Sequence, residues 1–409
     1  MTPISTTLVV PRYWPAQGGS EMHAQQLVQS LAESGHRPRV LCHSTSDSTS
    51  LELAFANQQP RTISTDEPYE VTRACPGGFQ RFILRQLAKR HATCRWVRPV
   101  FDVIARNFCQ KTLIRHSAEA QVIHSIYNGL TCSAESSLMA ARRLGIPFVW
   151  TPLACTSLPA GTAWSSSRFV NLYAQADAIV ALTEHERAWL IKWGAAPRKT
   201  FVCPMGPIVT SPSEPEAFRA RHGLKNKPTV LFLGRHDENK GFQRVIATMP
   251  LVWQTCPDTQ FLFVGPQTAH SRRLFSAIND SRVTVVEKMS QPDKNAALAT
   301  CDFLCVPSTL ESLGVVYLEA WHYAKPVVAL DIPLLQSLID HGQDGWLLPD
   351  SAPALARAIV GLLHDPEKTH RMGLVGRQKV DHTFNWDAIA ERYAQIYQYA
   401  LDHTATQPR

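Results

Sequence analysis

Glu311 and Glu319 are two acceptor-only side chains spaced for a single ligand. They stand in the run Pro307-Ser308-Thr309-Leu310-Glu311-Ser312-Leu313-Gly314-Val315-Val316-Tyr317-Leu318-Glu319-Ala320. An apolar block of strand length, Asp302-Phe303-Leu304-Cys305-Val306, precedes them, and Val315 to Tyr323 reads as a helix entered through Gly314. One carboxylate therefore falls in a strand-to-helix loop and the other about two turns along the helix. Ligands of open α/β sheets bind at such carboxyl ends of strands. Two carboxylates there suit a ligand rich in hydroxyl groups, such as a sugar and a ribose. A lone pair of this kind is more often two solvated glutamates, so the neighbouring loops have to decide.

Those loops carry cations and glycines. After Val230-Leu231-Phe232-Leu233 comes Gly234-Arg235-His236-Asp237-Glu238-Asn239-Lys240-Gly241, leading into a helix. Arg235 offers a planar fork for phosphate oxygens, and Lys240 a point charge where a helix dipole already favours anions. For either cation alone, a surface ion pair with Asp237 or Glu238 is the plainer account. After Phe261-Leu262-Phe263-Val264 comes Gly265-Pro266, where a ligand can approach the backbone closely. In the first half, Gly18-Gly19 precede a helix for which Ser20 is the expected N-cap, leaving backbone N–H groups to meet a phosphate. A plain tight loop explains that glycine pair equally well. Cations beside carboxylates at strand ends describe a site for an anion attached to a polyol, and a nucleoside diphosphate sugar is such a molecule.

Composition bounds the class. A chain of 409 residues is too long for one core, and 44% hydrophobic residues with 28 Pro and 20 Gly describe a globular protein with many loops. No apolar run approaches the ~20 residues of a membrane-spanning helix, and Leu8-Val9-Val10 stops at Pro11 instead of forming a leader core. The 10 cysteines include no CxxC pair, so buried reduced thiols in a cytoplasmic protein are expected, and neither zinc nor a disulfide framework. The net charge of +7 is concentrated. Between Arg81 and Arg115, nine basic residues face one acid, Asp102, so this stretch carries +8 and the remainder is near neutral. Phe79, Phe82, Leu84, Trp96, Val100 and Phe101 are interleaved with the basic residues, which reads as an anionic membrane surface contact over 79–115. No nucleic-acid module accompanies the patch. A wet face on an ordinary packed helix remains the alternative.

The elements that must position these residues alternate strand with helix. Strand-length runs begin at Leu8, Arg39, Val122, Phe148, Ala178 and Phe201, and again at Val230, Phe261, Val283, Phe303, Val327 and Trp346. Helices intervene, among them Ser20 to Ser34 before Gly35 and Glu184 to Trp193 before Gly194. Such alternation predicts parallel sheets covered by helices: an α/β chain of two Rossmann-like, doubly wound domains facing a cleft. The Pro/Ser-rich break Ser211-Pro212-Ser213-Glu214-Pro215 separates a first domain, 1–207, from a second, 208–385, and a final helix in 386–409 rejoins the first.

Taken together, the chain resembles the family 4 retaining glycosyltransferases of the two-Rossmann GT-B architecture. The resemblance runs over nearly the whole chain. It is carried by Gly18-Gly19-Ser20-Glu21, Leu182-Thr183-Glu184, Gly234-Arg235 with Lys240-Gly241, and the Glu311 to Glu319 signature with Ala324-Lys325-Pro326 behind it. The resemblance implies that Arg235 and Lys240 hold the donor diphosphate, that Glu311 contacts the transferred sugar, and that Glu319 takes the ribose hydroxyls. It further implies donor contacts at Gly19, Gly234, Gly265, Ser312, Leu313, Gly314 and Val315, with base recognition near Val286-Glu287-Lys288-Met289. The expected reaction is retaining transfer from a nucleotide sugar to a glycan or lipid-linked acceptor, in polysaccharide or glycolipid synthesis. No Asp-x-Asp occurs, so no cofactor or metal clamp is expected.

The chain also departs from the family pattern. Relatives often carry a histidine just after the strand that here reads Phe148-Val149-Trp150-Thr151-Pro152, where this chain has Leu153-Ala154-Cys155; His124 is the one nearby candidate to replace it. Three other readings stay open: a sugar-nucleotide epimerase, a non-catalytic nucleotide-sugar-binding scaffold, and a dehydrogenase, the last lacking a GxGxxG turn.

Overall fold

The computed structural model describes residues 2–16, 18–44, 50–57, 63–64, 68–127, 129–161, 163–209, 213–288 and 290–405. Ser211 and Pro212 of the expected interdomain break, and Met289 of the expected base-recognition stretch, lie outside the described residues. The chain forms two compact units, Met1–Met205 with Trp386–Arg409, and Gly206–Asn385.

The first unit holds β1 (Ser5–Arg12), β2 (Arg37–Ser44), β3 (Ile63–Ser64), β4 (Glu70–Arg73), β5 (Val122–Ile126), β6 (Phe148–Thr151), β7 (Ala178–Ala181) and β8 (Thr200–Val202). They form one sheet in the order β3-β4-β2-β1-β5-β6-β7-β8. Every pairing is parallel except β3 with β4. Strand side chains alternate between faces, and the sheet is buried on both. Leu8 and Val10 enter one core and Val9 the other. Helix Gly19–Glu33 covers the first face with Ala24, Leu27, Val28 and Leu31, spaced for one helical stripe. The final helix, Trp386–Ala405, lies in the same core through Ile389, Tyr393, Ile396 and Tyr397.

The second unit holds β9 (Thr229–Leu233), β10 (Gln260–Val264), β11 (Val283–Val286), β12 (Phe303–Cys305), β13 (Val327–Leu330) and β14 (Gly345–Leu348). Their order is β11-β10-β9-β12-β13-β14, all parallel. This is the doubly wound order, in which successive strands run outward from β9 on one side and then return to its other side at β12. The loops after β9 and β12 therefore diverge around a switch point, where open α/β sheets bind their ligands. In the first unit the reversal falls between β1 and β5.

Candidate active site

In the second unit the switch-point loops are tied to each other. The Thr309 N–H donates to the Asn239 carbonyl at 2.8 Å, and the Ser308 hydroxyl donates to the same oxygen at 3.0 Å. Gly241 sits at φ +80° as N-cap of helix Phe242–Trp253, and a Cβ there would collide with the Pro307 carbonyl oxygen. Only glycine allows both that conformation and that approach. Gly234 and Gly265 end the adjacent strands β9 and β10, their backbones in close contact.

This arrangement brings Lys240 and Glu311 together across the two loops, with Nζ donating to Oε1 at 2.7 Å. The Glu311 side chain is 6% exposed and that of Lys240 25%. Arg235 lies outward, 70% exposed, 3.0 Å from Asp237. Asp237 also accepts the Lys240 backbone N–H at 3.0 Å, which fixes the loop from which Lys240 extends. The surface pairing of Arg235 with Asp237 is thus present, whereas Lys240 reaches past Asp237 to the glutamate of the next loop. Ser312, Leu313 and Gly314 lead into helix Val315–His322, whose N-cap Gly314 has φ +88°. N–H groups in the first turn of a helix have no acceptor within it and point toward an incoming anion.

Glu319 is buried on that helix and engaged with a different lysine. Lys294 Nζ donates to Glu319 Oε1 at 2.5 Å and to the Ile208 carbonyl at 2.8 Å. Burial raises the Glu319 carboxyl above its ordinary range, against the pull of Lys294 and of the Ile208 N–H. Spacing alone does not single out Lys294. The available signal for Lys294 is its position on the buried face of helix Gln291–Thr300, together with Ala297 and Leu298. A lysine on an apolar stripe needs a partner. His236 is fully buried among Phe232, Phe242, Phe263 and Phe275, and burial lowers its imidazole to about 4. It is a neutral packing residue beneath the β9 loop. Glu287, in the expected base-recognition stretch, is occupied by Arg272.

In the first unit the expected capping by Ser20 is not what forms. Helix Gly19–Glu33 takes Gly18 as its N-cap, in extended conformation and with no side-chain cap. The Ser20 hydroxyl instead donates to Glu21 Oε2 at 2.7 Å, and Arg12 Nε binds Oε1 of the same buried carboxylate at 2.5 Å. A short strong acceptor beside it has captured the serine. Gly19 opens the helix, with nothing near the position a Cβ would take.

His124 is fully buried, with Nδ1 2.8 Å from the Tyr397 hydroxyl and Nε2 2.8 Å from Thr151 Oγ1. Burial lowers it to about 3. Locked as a neutral strut beneath the final helix, it does not replace a histidine in the loop after β6. That loop is held otherwise: buried Glu186 accepts the Ala154 N–H at 2.6 Å and the Leu182 N–H at 2.7 Å. Leu153 adopts φ +50° beside this clamp.

A model of "Glycosyl transferase 4-like domain" matches residues 18–206, and one of "Glycosyl transferases group 1" matches residues 227–365. The chain belongs to the family 4 glycosyltransferases. Among curated relatives of this family, D-inositol 3-phosphate glycosyltransferase of Kineococcus radiotolerans is 27% identical over 95% of this chain and 92% of its own length. Phosphatidyl-myo-inositol mannosyltransferase of Mycobacterium leprae is 32% identical over 42% of this chain and 46% of its own length. The structure of Anabaena HepE with UDP-glucose superposes with a TM-score of 0.71 at 20% identity, covering 96% of this chain and 99% of that one. The fold is the GT-B arrangement of two doubly wound domains. Among the described residues no helix is long and apolar enough to cross a membrane.

Proposed function

We propose that this family 4 enzyme is a retaining, metal-independent glycosyltransferase that moves a sugar from a nucleoside diphosphate to a hydroxyl of a glycan or lipid-linked acceptor. The observation that carries the reading is the meeting of Lys240 and Glu311 at 2.7 Å across two switch-point loops, with Arg235 exposed beside them. Cleavage of the anomeric C–O bond leaves a diphosphate bearing new negative charge. Lys240, Arg235 and the open helix terminus at Gly314-Val315 can stabilise that charge as it develops. When Lys240 turns to the diphosphate, Glu311 is freed to accept a hydroxyl of the transferred sugar. Glu319 would accept the ribose hydroxyls, and Gly19, Gly234, Gly265, Ser312 and Leu313 would offer backbone to the donor. Positive charge supplied by the chain itself supports a diphosphate site without a metal. The UDP-glucose bound to HepE makes a UDP-sugar the first donor to try, and the inositol phosphate in the name of the Kineococcus relative supports a polyol acceptor. The site fits polysaccharide or glycolipid assembly.

The test is thermal stabilisation of the purified chain against UDP-, GDP-, ADP- and dTDP-sugars, each with magnesium and with a chelator. A donor at about 100 times its dissociation constant adds about 2.7 kcal/mol of stability. A shift with one nucleotide, insensitive to chelator and lost in Glu319→Ala, supports the reading. The anomeric configuration of the product, read by proton NMR, then tests retention. A second reading is a donor-binding scaffold, favoured by the apolar loop Leu153-Ala154 and the sequestered His124. Donor binding without turnover on any acceptor would bring it forward.

A further inference from the structure

Among the described residues, the most exposed large apolar side chains lie far along the chain from the switch-point residues, on and between two helices of the first unit. Helix Gly78–His91 buries Leu84 and Ala88, and helix Val97–His116 buries Phe101, Ala105, Cys109 and Leu113 at every fourth position. These stripes account for the packing. They leave the opposite sides to water, and those sides carry large apolar side chains among their charges. Trp96 is 85% exposed, Phe79 77%, Val103 62%, Phe82 60% and Val100 50%. Among the described residues, these are the five most exposed large hydrophobic side chains of the whole chain. Trp96, Val100 and Val103 recur at the spacing of a single helical stripe. Gln80 Nε2 donates to the Ile104 carbonyl at 3.4 Å and fixes the two helices side by side. Phe79 and Val103, both exposed, each stand one residue before a member of that bonded pair.

Charge completes the surface. Arg85, Lys89, Arg90, Arg95, Lys111 and Arg115 are exposed on the same helical pair and its turn. Among the described residues no carboxylate pairs with any of them. The one acid of the stretch, Asp102, is taken by Arg168 at 2.6 Å. The buried side is anchored as well: Arg168 and Arg106 both bind Glu135. The outer face is thus a preorganised platform of aromatic and aliphatic side chains with a basic rim.

We infer that the helical pair 78–116 is a docking surface for an anionic lipid bilayer. Phe79, Phe82, Trp96, Val100 and Val103 enter the boundary between headgroups and acyl chains, and the basic rim meets the headgroups. A bilayer surface is the partner that accepts both kinds of side chain at once, since an interfacial helix buries its apolar face about 5–10 Å deep while its cations stay at headgroup level. A second copy of the chain would oppose one +8 segment to another. Nucleic acid would satisfy the cations but leave Val100 and Val103 without a partner. The inference does not depend on glycosyl transfer, though a lipid-linked acceptor would be presented at this surface.

The experiment is flotation of the full chain, without nucleotide, with vesicles of phosphatidylcholine alone and of phosphatidylcholine mixed with phosphatidylglycerol. Binding is expected to the mixed vesicles only, and it should weaken as salt is added. Each rim residue neutralised, Lys89→Gln or Arg90→Gln, should weaken partitioning about fivefold. Trp96→Ser with Val100→Ser should weaken it more than tenfold while leaving the melting temperature within a degree or two, because neither residue is part of the core. Three outcomes overturn the inference. The wild-type chain stays with the unfloated fraction whatever the lipid; the serine variant floats undiminished; or the same variant loses a concentration-dependent dimer or a duplex DNA complex instead of vesicle binding. Because no donor is present, none of these outcomes bears on the transferase reading.

Discussion

Lys240→Ala tests the site through stability and turnover together. The Nζ–Oε1 separation of 2.7 Å corresponds to a Coulomb attraction of about 6 kcal/mol at an effective dielectric of about 20. Desolvation of the two charges offsets much of that. Removing the lysine does not restore water to Glu311, whose side chain is only 6% exposed. The carboxylate is stranded, and the expected loss is about 3 kcal/mol, the lower end of what breaking a buried pair costs, because Lys240 itself is partly open to solvent. Sequence reasoning alone would expect little loss of fold at this position; the pair with Glu311 changes that expectation. Adding Glu311→Gln to the same background removes the stranded charge and should recover most of the loss. The assay is urea unfolding followed by tryptophan fluorescence, run beside donor turnover. Turnover should fall about 100- to 1,000-fold in Lys240→Ala, the usual effect of deleting one group that stabilises developing charge, and should not recover in the double variant. A single variant within about 0.5 kcal/mol of wild type would refute the buried pair. Unchanged turnover would refute the diphosphate role.

Three further outcomes are expected. Burial raises Glu186 to about 7 from an ordinary 4.5, so the folded state holds this proton more tightly than the unfolded chain. Its contribution is complete below pH ~4.5 and is lost as pH rises to about 7, a fall of about 3 kcal/mol; urea midpoints across that range should show a shallower slope in Glu186→Gln. His124 has the opposite sign: its pKa is lowered to about 3, so its contribution is intact above pH ~6.5 and fades as pH falls, by about 2 kcal/mol at pH ~5. His124→Gln should blunt acid unfolding in that window, and an unchanged acid profile would count against a neutral strut. Gly241→Ala must place a Cβ against the Pro307 carbonyl at φ +80° and should cost more than about 1 kcal/mol in thermal unfolding, while Gly342→Ala, at φ +78° but with open space around it, should cost less.

Much of the fold was legible because its signal is local. The twelve runs read as strands all form strands, and helices near 19–33, 184–192, 315–322 and 386–405 stand within a few residues of their expected positions. Apolar blocks bounded by glycine, and helices closed by Gly35 and Gly194, carry period and punctuation within a few neighbouring residues. The pair β3 and β4 was not legible. Glu70-Val71-Thr72-Arg73 buries only its two central residues at the margin of the sheet, and so short a run has no periodicity to read. Ser20 misled for a related reason, since its hydroxyl could be claimed by the backbone or by Glu21, and sequence does not rank the two.

The amino-acid sequence by itself determined the alternation of strand and helix, the glycine-bounded loops, the concentration of +8 within 81–115, and the residue types able to meet a diphosphate and a sugar. What the tertiary structure alone decided is which charge faces which. Lys240 bypasses its neighbour Asp237 for Glu311, 71 residues away, and Glu319 is engaged by Lys294. His124 is silenced by Tyr397, 273 residues further on. The basic stretch divides into a buried Phe101 and an exposed Trp96 only when one side of each helix finds the core. The physical reason is common to all of these. A side chain's period and type are carried within a turn or a strand, but its partner and its access to water are set by chain closure over long separations, when burial makes an unpaired charge too costly to leave.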